Sequence, residues 1–457
     1  MATLLTFIFW ILVLLVVGSL LLNGYMIVLM LRYPKQQRAN EVHTVTTDDG
    51  WNIQLFRRKS SEAPGEPVLF VHGLAANRLN FEAPAGTSLV DALTVEGYDC
   101  WSIELRCCES AAPPEGRDIG DISFDDYLFK DLPAAIAYIR QTTGHDKVHW
   151  VGHSMGGMLL YAYNVVFGSE HLASGVSLAG PVTFKDISFT PPALLFRLTM
   201  VAPKLTRTIL KAMTPCAWVF RPKLLGFPVN WDNMHPDVDA QTLFNIVEAV
   251  PTQVAHEFDG WLNTGTWKVK GGQVNMDAKL SEIDVPLLVV CGKDDPFTPE
   301  PKIQHFFETL PGKDKKLLFL SRQNSSSADY GHIDLVFGLR SKAEVFEPAL
   351  EWIQEHPVTA GRRKTARKQK KAKSAPARAK KKTPAKKKTI AKKRTAAKKT
   401  SAKKSSASSK KKTAGKKKTA ATKKTAAKKK STTKKKTAAK KKTSAKKKTT
   451  AKKKSTR

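Results

Sequence analysis

Short apolar runs and helical patterns alternate along the chain from Val42 to His356. Residues 68–71, 100–105, 148–151, 175–178, 286–291 and 316–320 are predicted as buried strands, and residues 124–142, 155–167 and 343–355 as helices. Each strand candidate is an apolar run that ends in glycine, polar or charged residues, where a loop should open. Alternating strands and helices are typical of a mostly parallel sheet covered by crossover helices. The pattern therefore predicts an α/β fold.

One long stretch interrupts this rhythm. Residues 181–272 are rich in apolar residues and punctuated by proline, without the short strand-like runs found elsewhere. This composition predicts an inserted helical cap rather than part of the sheet. Two interpretations of the cap stay open at this point. It is either a buried helical subdomain or a lid over an apolar pocket.

The first apolar stretch, residues 4–31, contains no charged residue. As a helix it would be roughly 42 Å long at ~1.5 Å per residue, more than the ~30 Å hydrocarbon core of a bilayer requires. A cleaved signal peptide has a charged start and a shorter apolar run, so the pattern predicts a retained membrane anchor over residues 1–33. Arg32, Lys35 and Arg38 follow it, and basic flanks stay on the cytoplasmic side. We therefore expect a single-pass membrane protein whose remaining chain faces the cytoplasm.

Charge divides the rest of the chain into two parts. Of the 76 Lys and Arg residues, 46 lie in residues 361–457, which contain no Asp or Glu. The first 360 residues hold the other 30 basic residues against all 40 acidic ones, a net charge of −10 within a total of +36. Residues 34–360 suffice for one large domain or two small ones, whereas the tail has almost no apolar residue larger than alanine and is predicted to be disordered. The five irregularly spaced cysteines exclude a disulfide-stapled secreted protein.

The tail repeats short units of lysine, alanine and threonine and resembles the tails of linker histones. A polycation of this kind binds a phosphate polymer through counterion release, without sequence preference. No aromatic residue interleaves with the lysines, so base stacking is not expected. Nucleic acid is the favoured partner, and anionic lipid on the chain's own membrane or a polyanionic granule is the alternative. A merely solubilising role is the third interpretation.

A predicted strand that runs into a predicted helix carries the strongest chemical signal. It contains the pattern Gly-x-Ser-x-Gly, formed by Gly152, Ser154 and Gly156. The turn is so tight that small residues must flank the serine, and it lifts the hydroxyl to the carboxyl edge of the sheet. The pattern predicts a nucleophile elbow with Ser154 as the nucleophile. The amide of Met155, at the start of the helix, is a predicted oxyanion donor.

The loop after the first predicted strand fits the same chemistry. His72, Gly73 and Leu74 follow that strand directly. A loop of this type supplies a second oxyanion amide, which we assign to Leu74. We expect the side chain of His72 to support the loop rather than to react.

An acid and a base complete a predicted catalytic triad. Asp295 follows the predicted strand 286–291, and Asp294 is the alternative acid because sequence does not fix the register of this short loop. His332 lies on the last long loop, after the predicted strand 316–320. An imidazole near neutrality accepts the serine proton, and the acid orients the imidazole and stabilises its cation. His and Asp residues do not cluster at metal-ligand spacing, so no metal is expected.

These motifs resemble the α/β-hydrolases, and within them the acid lipases of the gastric and lysosomal type. The resemblance extends over residues 41–352. It is carried by residues 47–51 (TDDGW), 72–74 (HGL), 97–101 (GYDCW), 123–127 (SFDDY), 131–134 (DLPA) and 151–154 (VGHS). It implies an α/β-hydrolase fold with a cap, lipophilic esters as substrates and no cofactor.

The resemblance also implies a role for individual residues. Ser154 corresponds to the nucleophile, Asp295 and His332 complete the triad, and Leu74 and Met155 supply the oxyanion amides. The chain departs from the acid lipases in two segments near the predicted pocket. Residues 106–108 are Arg-Cys-Cys where those lipases have a small Arg-Gly-Asn loop, and the residue after the serine is methionine where they have glutamine. Both departures bear on the identity of the substrate.

The sequence supports a main hypothesis and a competing one. The main hypothesis is a membrane-anchored serine hydrolase that cleaves an apolar acyl ester through an acyl-enzyme, with a polycationic tail that binds nucleic acid or another polyanion. The competing hypothesis is a membrane tether for nucleic acid or polyanionic granules, with a hydrolase-fold body that is catalytically vestigial. A complete triad favours the enzyme.

Overall fold

The computed structural model describes residues 1–61, 64–187, 193–220 and 229–358. The predicted basic tail, residues 361–457, lies outside these ranges, as do parts of the predicted cap. Within the described ranges, a central sheet carries helices on both faces and follows a long apolar helix. This architecture confirms the predicted α/β fold.

Ten strands are described. They are β1 (Glu41–Thr46), β2 (Asn52–Arg58), β3 (Pro67–Val71), β4 (Asp99–Glu104), β5 (Val148–His153), β6 (Leu172–Leu178), β7 (Lys268–Val269), β8 (Val274–Asn275), β9 (Leu287–Gly292) and β10 (Lys315–Leu320). The central sheet has the order β1-β2-β4-β3-β5-β6-β9-β10, and β7 and β8 form a separate hairpin. Strand β2 is antiparallel to both neighbours, and the remaining pairs in the central sheet are parallel. All six predicted strands are confirmed, although β6 begins at Leu172 rather than at Gly175.

Strands β1 and β2 lie outside the six predicted strands. Along both of them, more buried residues alternate with less buried ones. They lie at the antiparallel edge of the sheet, so neither has the continuous apolar run that marks a strand covered on both faces. Their alternating pattern is the weaker signal of a half-buried strand.

Thirteen α-helices are described. They are α1 (Ala2–Arg32), α2 (Leu79–Glu82), α3 (Leu89–Val95), α4 (Phe124–Asp126), α5 (Leu132–Thr143), α6 (Met155–Phe167), α7 (Ala193–Val201), α8 (Pro203–Phe220), α9 (Ala240–Ile246), α10 (Thr252–Thr264), α11 (Glu300–Thr309), α12 (Asp334–Phe337) and α13 (Glu347–Glu355). The predicted helix 155–167 is confirmed as α6. The predicted helix 124–142 is interrupted, because a π-helical turn at Tyr127–Asp131 separates α4 from α5. A second π-helical turn, Lys342–Phe346, precedes α13 within the predicted helix 343–355.

Apolar side chains cover both faces of the sheet. Along β3, Leu69 and Val71 belong to one apolar layer, and Val68 and Phe70 belong to the other. Successive side chains of a strand point to opposite faces, so a strand buried on both faces reads as an unbroken apolar run. The two layers hold the sheet rigidly and leave the loops at its carboxyl edge to carry polar residues.

Helices α7 to α10 lie between β6 and β9 in the chain, where the helical cap is predicted. The last turns of α1 pack on two of these helices. Met26 and Leu29 form an apolar cluster with Phe244 of α9. The Tyr25 hydroxyl donates a hydrogen bond to the backbone oxygen of Ala212 in α8, at 3.3 Å. By length and composition, α1 qualifies as a membrane-spanning helix.

Candidate active site

Ser154 lies in a sharp turn between β5 and α6. Its backbone has φ 55° and ψ −118°, a strained conformation for a non-glycine residue and one that clusters at functional sites. Glycine is required on both sides of it. A Cβ on Gly152 would lie 2.2 Å from the backbone oxygen of Gly156, and a Cβ on Gly156 would lie 1.9 Å from that of Val71. The Gly-x-Ser-x-Gly pattern therefore forms the tight turn that it predicts.

Asp295 and His332 are buried and hydrogen-bonded to each other. The Oδ2 atom of Asp295 lies 2.8 Å from Nδ1 of His332. The Thr298 hydroxyl donates to the same Oδ2 at 2.7 Å, and the Phe297 amide donates to Oδ1 at 2.9 Å. These donors fix the carboxylate so that it orients the imidazole and favours the tautomer protonated at Nδ1.

Of the two candidate acids, Asp295 contacts His332, whereas the side chain of Asp294 is exposed. The backbone amide of Asp294 donates to the backbone oxygen of Tyr330 at 2.8 Å. This bond ties the loop after β9 to the loop that carries His332. The sequence does not determine which aspartate faces His332. A backbone contact between the two loops sets that choice.

His153 joins the elbow to the loop of His332. Its Nε2 lies 3.0 Å from the backbone oxygen of His332, and the centroids of the two rings are 4.9 Å apart. Burial and the neighbouring His332 lower the pKa of His153 to about 3, so its ring is neutral at pH 7. Because Ser154 follows His153 directly, this contact holds the loop of His332 against the serine turn.

Asn80, in α2, holds the loop after β3 against the same turn. Its Oδ1 accepts a hydrogen bond from the Gly73 amide at 3.1 Å and lies 3.0 Å from Nδ1 of His153. A neutral imidazole has one N–H, so His153 donates either to Asn80 or to the backbone of His332. Gly73 lies so close that a Cβ there would be 3.1 Å from Cβ of Ser154. No sequence motif marks Asn80; the signal is only its place in a polar loop after a buried strand.

The two predicted oxyanion donors, Leu74 and Met155, belong to the two segments next to Ser154. Leu74 follows Gly73, and Met155 is the first residue of α6. The first amides of a helix have no acceptor within the helix and carry the positive end of its dipole. Among the backbone hydrogen bonds that the described residues make outside helices and strands, neither amide is a donor. This arrangement suits a negative oxygen that forms next to the serine.

His72 supports the loop after β3, as predicted. Its Nε2 accepts a hydrogen bond from the Leu105 amide at 3.3 Å, so Nδ1 carries the proton and donates to the backbone oxygen of Gly73 at 2.9 Å. Burial lowers the pKa of the His72 ring, which keeps it neutral. The Sγ atom of Cys108 lies 3.3 Å from Nε2. Burial raises the pKa of Cys108, so its sulfur stays a thiol that packs against the loop.

The segment that departs from the acid lipases begins with a buried ion pair. Arg106 donates from Nε to Oδ1 of Asp131 at 2.8 Å, and its backbone amide donates to Oδ2 at 3.0 Å. Its two terminal nitrogens donate to the Asp49 carboxylate at 2.8 and 3.1 Å. The π-helical turn before α5 places Asp131 for this contact. The ion pair therefore fixes the backbone that leads into Cys107 and Cys108.

A buried carboxylate links the cap to the loops around the site. Glu248 accepts hydrogen bonds from Nδ2 of Asn77 at 2.8 Å and from the Glu109 amide at 3.2 Å, and Arg207 of α8 lies 3.4 Å away. The amide of Glu248 donates to the backbone oxygen of Ala75 at 2.9 Å. Burial raises the pKa of Glu248. No sequence motif predicts this cluster, and within the described residues no group of three or more His, Cys, Asp or Glu is placed to hold a metal ion.

Comparisons with known proteins match this chain to one family and to several relatives. A family model described as the alpha/beta hydrolase fold matches residues 66–338. Gastric triacylglycerol lipase of Rattus norvegicus is 32% identical over 188 residues, which cover 36% of this chain and 46% of the lipase. Lysosomal acid lipase/cholesteryl ester hydrolase of Homo sapiens is 30% identical over 175 residues, which cover 35% of this chain and 43% of that protein. A solved thermophilic esterase of Thermogutta terrifontis aligns over 69% of this chain and 99% of its own, with 18% identity and a TM-score of 0.45.

The chain spans less than half the length of each of these two lipases. The family model, in contrast, matches more than half of the chain's 457 residues. Its matched range includes the turn at Ser154 and the hydrogen-bonded pair of Asp295 and His332. The chain belongs to the α/β-hydrolase family.

Proposed function

We propose that this chain is a serine hydrolase that cleaves a carboxylic ester through an acyl-enzyme. The observation that carries the proposal is the hydrogen bond between Asp295 and His332, in a loop that is held against the turn of Ser154. A serine hydroxyl is a poor nucleophile until an imidazole accepts its proton. The tautomer of His332 that Asp295 favours leaves Nε2 able to take that proton.

In the proposed reaction, the Ser154 oxygen attacks the ester carbonyl while its proton moves to His332. The amides of Leu74 and Met155 donate to the carbonyl oxygen as it becomes negative. His332 then gives the proton to the departing alcohol, and the acyl group stays on Ser154. A water molecule, deprotonated by His332, then attacks the acyl carbonyl, and His332 returns the proton to the Ser154 oxygen as the carboxylic acid leaves. The Asp295 carboxylate stabilises the imidazolium throughout.

The proposed substrate is an apolar acyl ester. The related proteins support this class, since they are named as a triacylglycerol lipase and a cholesteryl ester hydrolase. The apolar helix α1 supports it too, because a membrane anchor keeps an enzyme near lipophilic esters. The chain differs from the acid lipases at residues 106–108 and at Met155. Assays with different esters therefore identify the acyl and alcohol groups of its substrate.

We further propose that α1 is a single-pass anchor and that the rest of the chain is cytoplasmic. The support is the 30-residue apolar helix Thr3–Arg32 and the basic residues that follow it. The proposed parts are an anchor at residues 1–33, a hydrolase domain at 34–360 with its cap at about 181–272, and a tail at 361–457. Protease digestion of sealed vesicles tests the orientation, because tail cleavage from the non-cytoplasmic side would contradict it.

The proposed role of residues 361–457 is to bind nucleic acid or another polyanion. The support is compositional: 46 basic residues and no acidic ones. Binding should weaken steeply as salt rises, since each neutralised phosphate releases counterions. Affinity for DNA at two salt concentrations, measured with and without these residues, tests the role. Equal binding by both proteins would exclude nucleic acid as the partner of the tail.

One experiment tests the enzyme directly. The full-length chain is treated with a fluorophosphonate that reports an activated serine, and its hydrolysis of short and long acyl esters is followed. Ser154→Ala should abolish labelling and lower kcat by at least about 10⁴-fold, since loss of a triad nucleophile leaves only binding and oxyanion effects. Ser169→Ala, beyond the end of α6, is the matched control and should change neither. No labelling of the parent chain would favour the competing tether hypothesis.

A further inference from the structure

Helix α8 buries polar residues and exposes large apolar ones. Its buried positions are polar: Thr206, Lys211 and Thr214. Its exposed apolar positions, with exposed fractions of 45%, 38%, 70% and 76%, are Leu205, Met213, Val219 and Phe220. At about 3.6 residues per turn, Lys211 and Thr214 lie opposite the centre of the exposed set, and Thr206 lies at its edge. A helix that covers an apolar core has the reverse arrangement, so the four exposed residues, here named the apolar stripe, need another explanation.

Ion pairs with the body fix this orientation of α8. The guanidinium of Arg207 lies 3.4 Å from Glu109 on one side and 3.4 Å from Glu248 on the other. The ammonium of Lys211 lies 4.0 Å from Glu109 and 5.3 Å from the ring centroid of Phe244. Turning the apolar stripe inward would break these contacts and leave the Glu248 carboxylate buried without its guanidinium. The contacts of Arg207 and Lys211 therefore keep the apolar stripe pointing away from the protein.

The anchor helix α1 lies directly beside α8. Leu22, Met26, Leu29 and Tyr33 follow helical spacing on one side of α1, and they pack with Phe244 and Ala212. The Tyr25 hydroxyl reaches the backbone of α8 at Ala212. The stripe is thus continuous with an apolar helix rather than isolated on the surface.

The length of α1 sets the level of α8 relative to a bilayer. Thirty residues extend roughly 45 Å, whereas about 20 residues cross the ~30 Å hydrocarbon core. Because residues 22–33 pack on the body, the preceding ~20 residues cross the core, and about ten residues at this end of α1 lie in and beyond the headgroup region. The end that packs on α8 is the one that contains Tyr25, and tyrosine is enriched at this interface. Arg32 and Lys35 follow at the height of the anionic headgroups.

We propose that α8 lies in the plane of the membrane, with its apolar stripe in the headgroup and acyl boundary of the leaflet from which α1 emerges. The occupant of the stripe is a phospholipid leaflet, and the argument is the continuity of the stripe with α1 together with the basic residues at that level. The inference rests on the proposed anchor. It deepens the proposed function, because Glu109 and Glu248, on the polar side of α8, contact the loops that border Ser154. A lipophilic ester then reaches the serine from the leaflet, alongside α8.

Cys216 provides a labelling site that tests this arrangement. Of the five cysteines, Cys216 is exposed and the other four are buried. Helical spacing places Cys216 on the same side of α8 as Leu205 and Phe220. Full-length protein labelled at Cys216 with an environment-sensitive nitrobenzoxadiazole is reconstituted in vesicles of phosphatidylcholine and phosphatidylserine. We expect blue-shifted emission, quenching by a nitroxide attached near the lipid headgroup, and protection from aqueous iodide.

Two control positions separate this inference from the proposed anchor. In the Cys216→Ser background, a label at Leu14→Cys reports whether α1 is inserted, and a label at Glu308→Cys, at the exposed end of α11, should stay accessible to iodide. A lipid-quenched label at Leu14→Cys with a water-exposed label at Cys216 would overturn the inference and leave the anchor intact. A water-exposed label at Leu14→Cys would overturn both. Protection of Cys216 from iodide without quenching by lipid would show a protein partner instead of a leaflet and would also overturn it.

A variant provides an independent check. Val219→Asp combined with Phe220→Asp places two charges on the stripe and leaves the polar side of α8 unchanged. We expect the Cys216 label to lose its lipid quenching and become accessible to iodide. Hydrolysis of a water-soluble short-chain ester should stay at the parent rate, whereas hydrolysis of a long-chain ester embedded in the vesicles should fall. Unchanged lipid quenching in this variant would contradict the proposed depth of α8.

Discussion

The turn around Ser154 and helix α8 distribute polar and apolar groups in opposite ways. At the turn, apolar residues fill the sheet beneath, and the polar groups at its edge have partners within the chain, such as Asp295 for His332 and Asn80 for the Gly73 amide. On α8, the buried residues are polar and the apolar stripe is exposed. The turn is thus complete within the chain, whereas α8 is arranged for a partner outside it. Substitutions that affect only the turn, or only α8, test this difference between the two regions.

The largest expected effect concerns the turn and its acid. Asp295→Asn keeps the size of the side chain but removes the charge that orients His332 through Nδ1. We expect kcat for ester hydrolysis to fall by about 10⁴-fold, because the imidazole is then held in the wrong tautomer. Asp294→Asn changes the exposed neighbour and should leave kcat near the parent value. Steady-state assays of both variants check the prediction, and equal losses would mean that the contact of Asp295 with His332 is not catalytic.

The parts of the turn that depend on short motifs could be predicted from sequence. The pattern at Gly152, Ser154 and Gly156 predicts the turn because no larger residue fits on either side of the serine. The buried strands were equally predictable, since a strand covered on both faces must be apolar along its length. These features are local, so a short window of sequence contains the physical reason for them.

Contacts between distant segments could not be predicted in this way. The choice of Asp295 over Asp294 depends on a backbone bond to Tyr330, and Asn80 acts through His153, far along the chain. The orientation of α8 depends on ion pairs with Glu109 and Glu248. The sequence of α8 alone gives two faces but not which one points inward. Only the tertiary contacts decide that.

The second largest effect concerns the free energy of unfolding and tests whether the buried ion pair near the site stabilises the fold. Arg106→Leu removes the guanidinium from the fully buried Asp131. Burial raises the pKa of Asp131 and the guanidinium opposes that rise, so the variant leaves a buried acid without its counter-charge. We expect a loss of about 3–5 kcal/mol in the free energy of unfolding. Arg117→Leu, at an exposed pair with Asp121, should cost less than about 1 kcal/mol. Denaturant unfolding checks both, and similar losses would contradict the proposed difference.

A smaller effect is expected from His153, and it depends on pH. The unfolded ring has the ordinary pKa of 6.5, whereas burial lowers the pKa in the folded protein to about 3. Between these values the unfolded state binds the extra proton, so the free energy of unfolding falls as pH falls, by up to about 1.4 kcal/mol per pH unit. His153→Gln should remove this contribution. Unfolding curves from pH 7 to pH 4 should therefore show a shallower loss in the variant, and parallel curves would mean that the folded ring takes up a proton normally.

The smallest effect comes from the apolar stripe and is the sharpest test of the comparison. Val219→Ala shortens a side chain that is 70% exposed, and Val90→Ala makes the same change at a fully buried position of α3. Both residues are helical, so the gain in helix propensity is common to the two variants. Val90→Ala should lower the free energy of unfolding by about 2 kcal/mol, through lost apolar burial and the cavity left behind. Val219→Ala should change it by less than about 0.5 kcal/mol. If the two losses, measured on full-length protein in the same detergent, are equal, then the stripe is packed against the protein itself and α8 does not differ from the core in the way described.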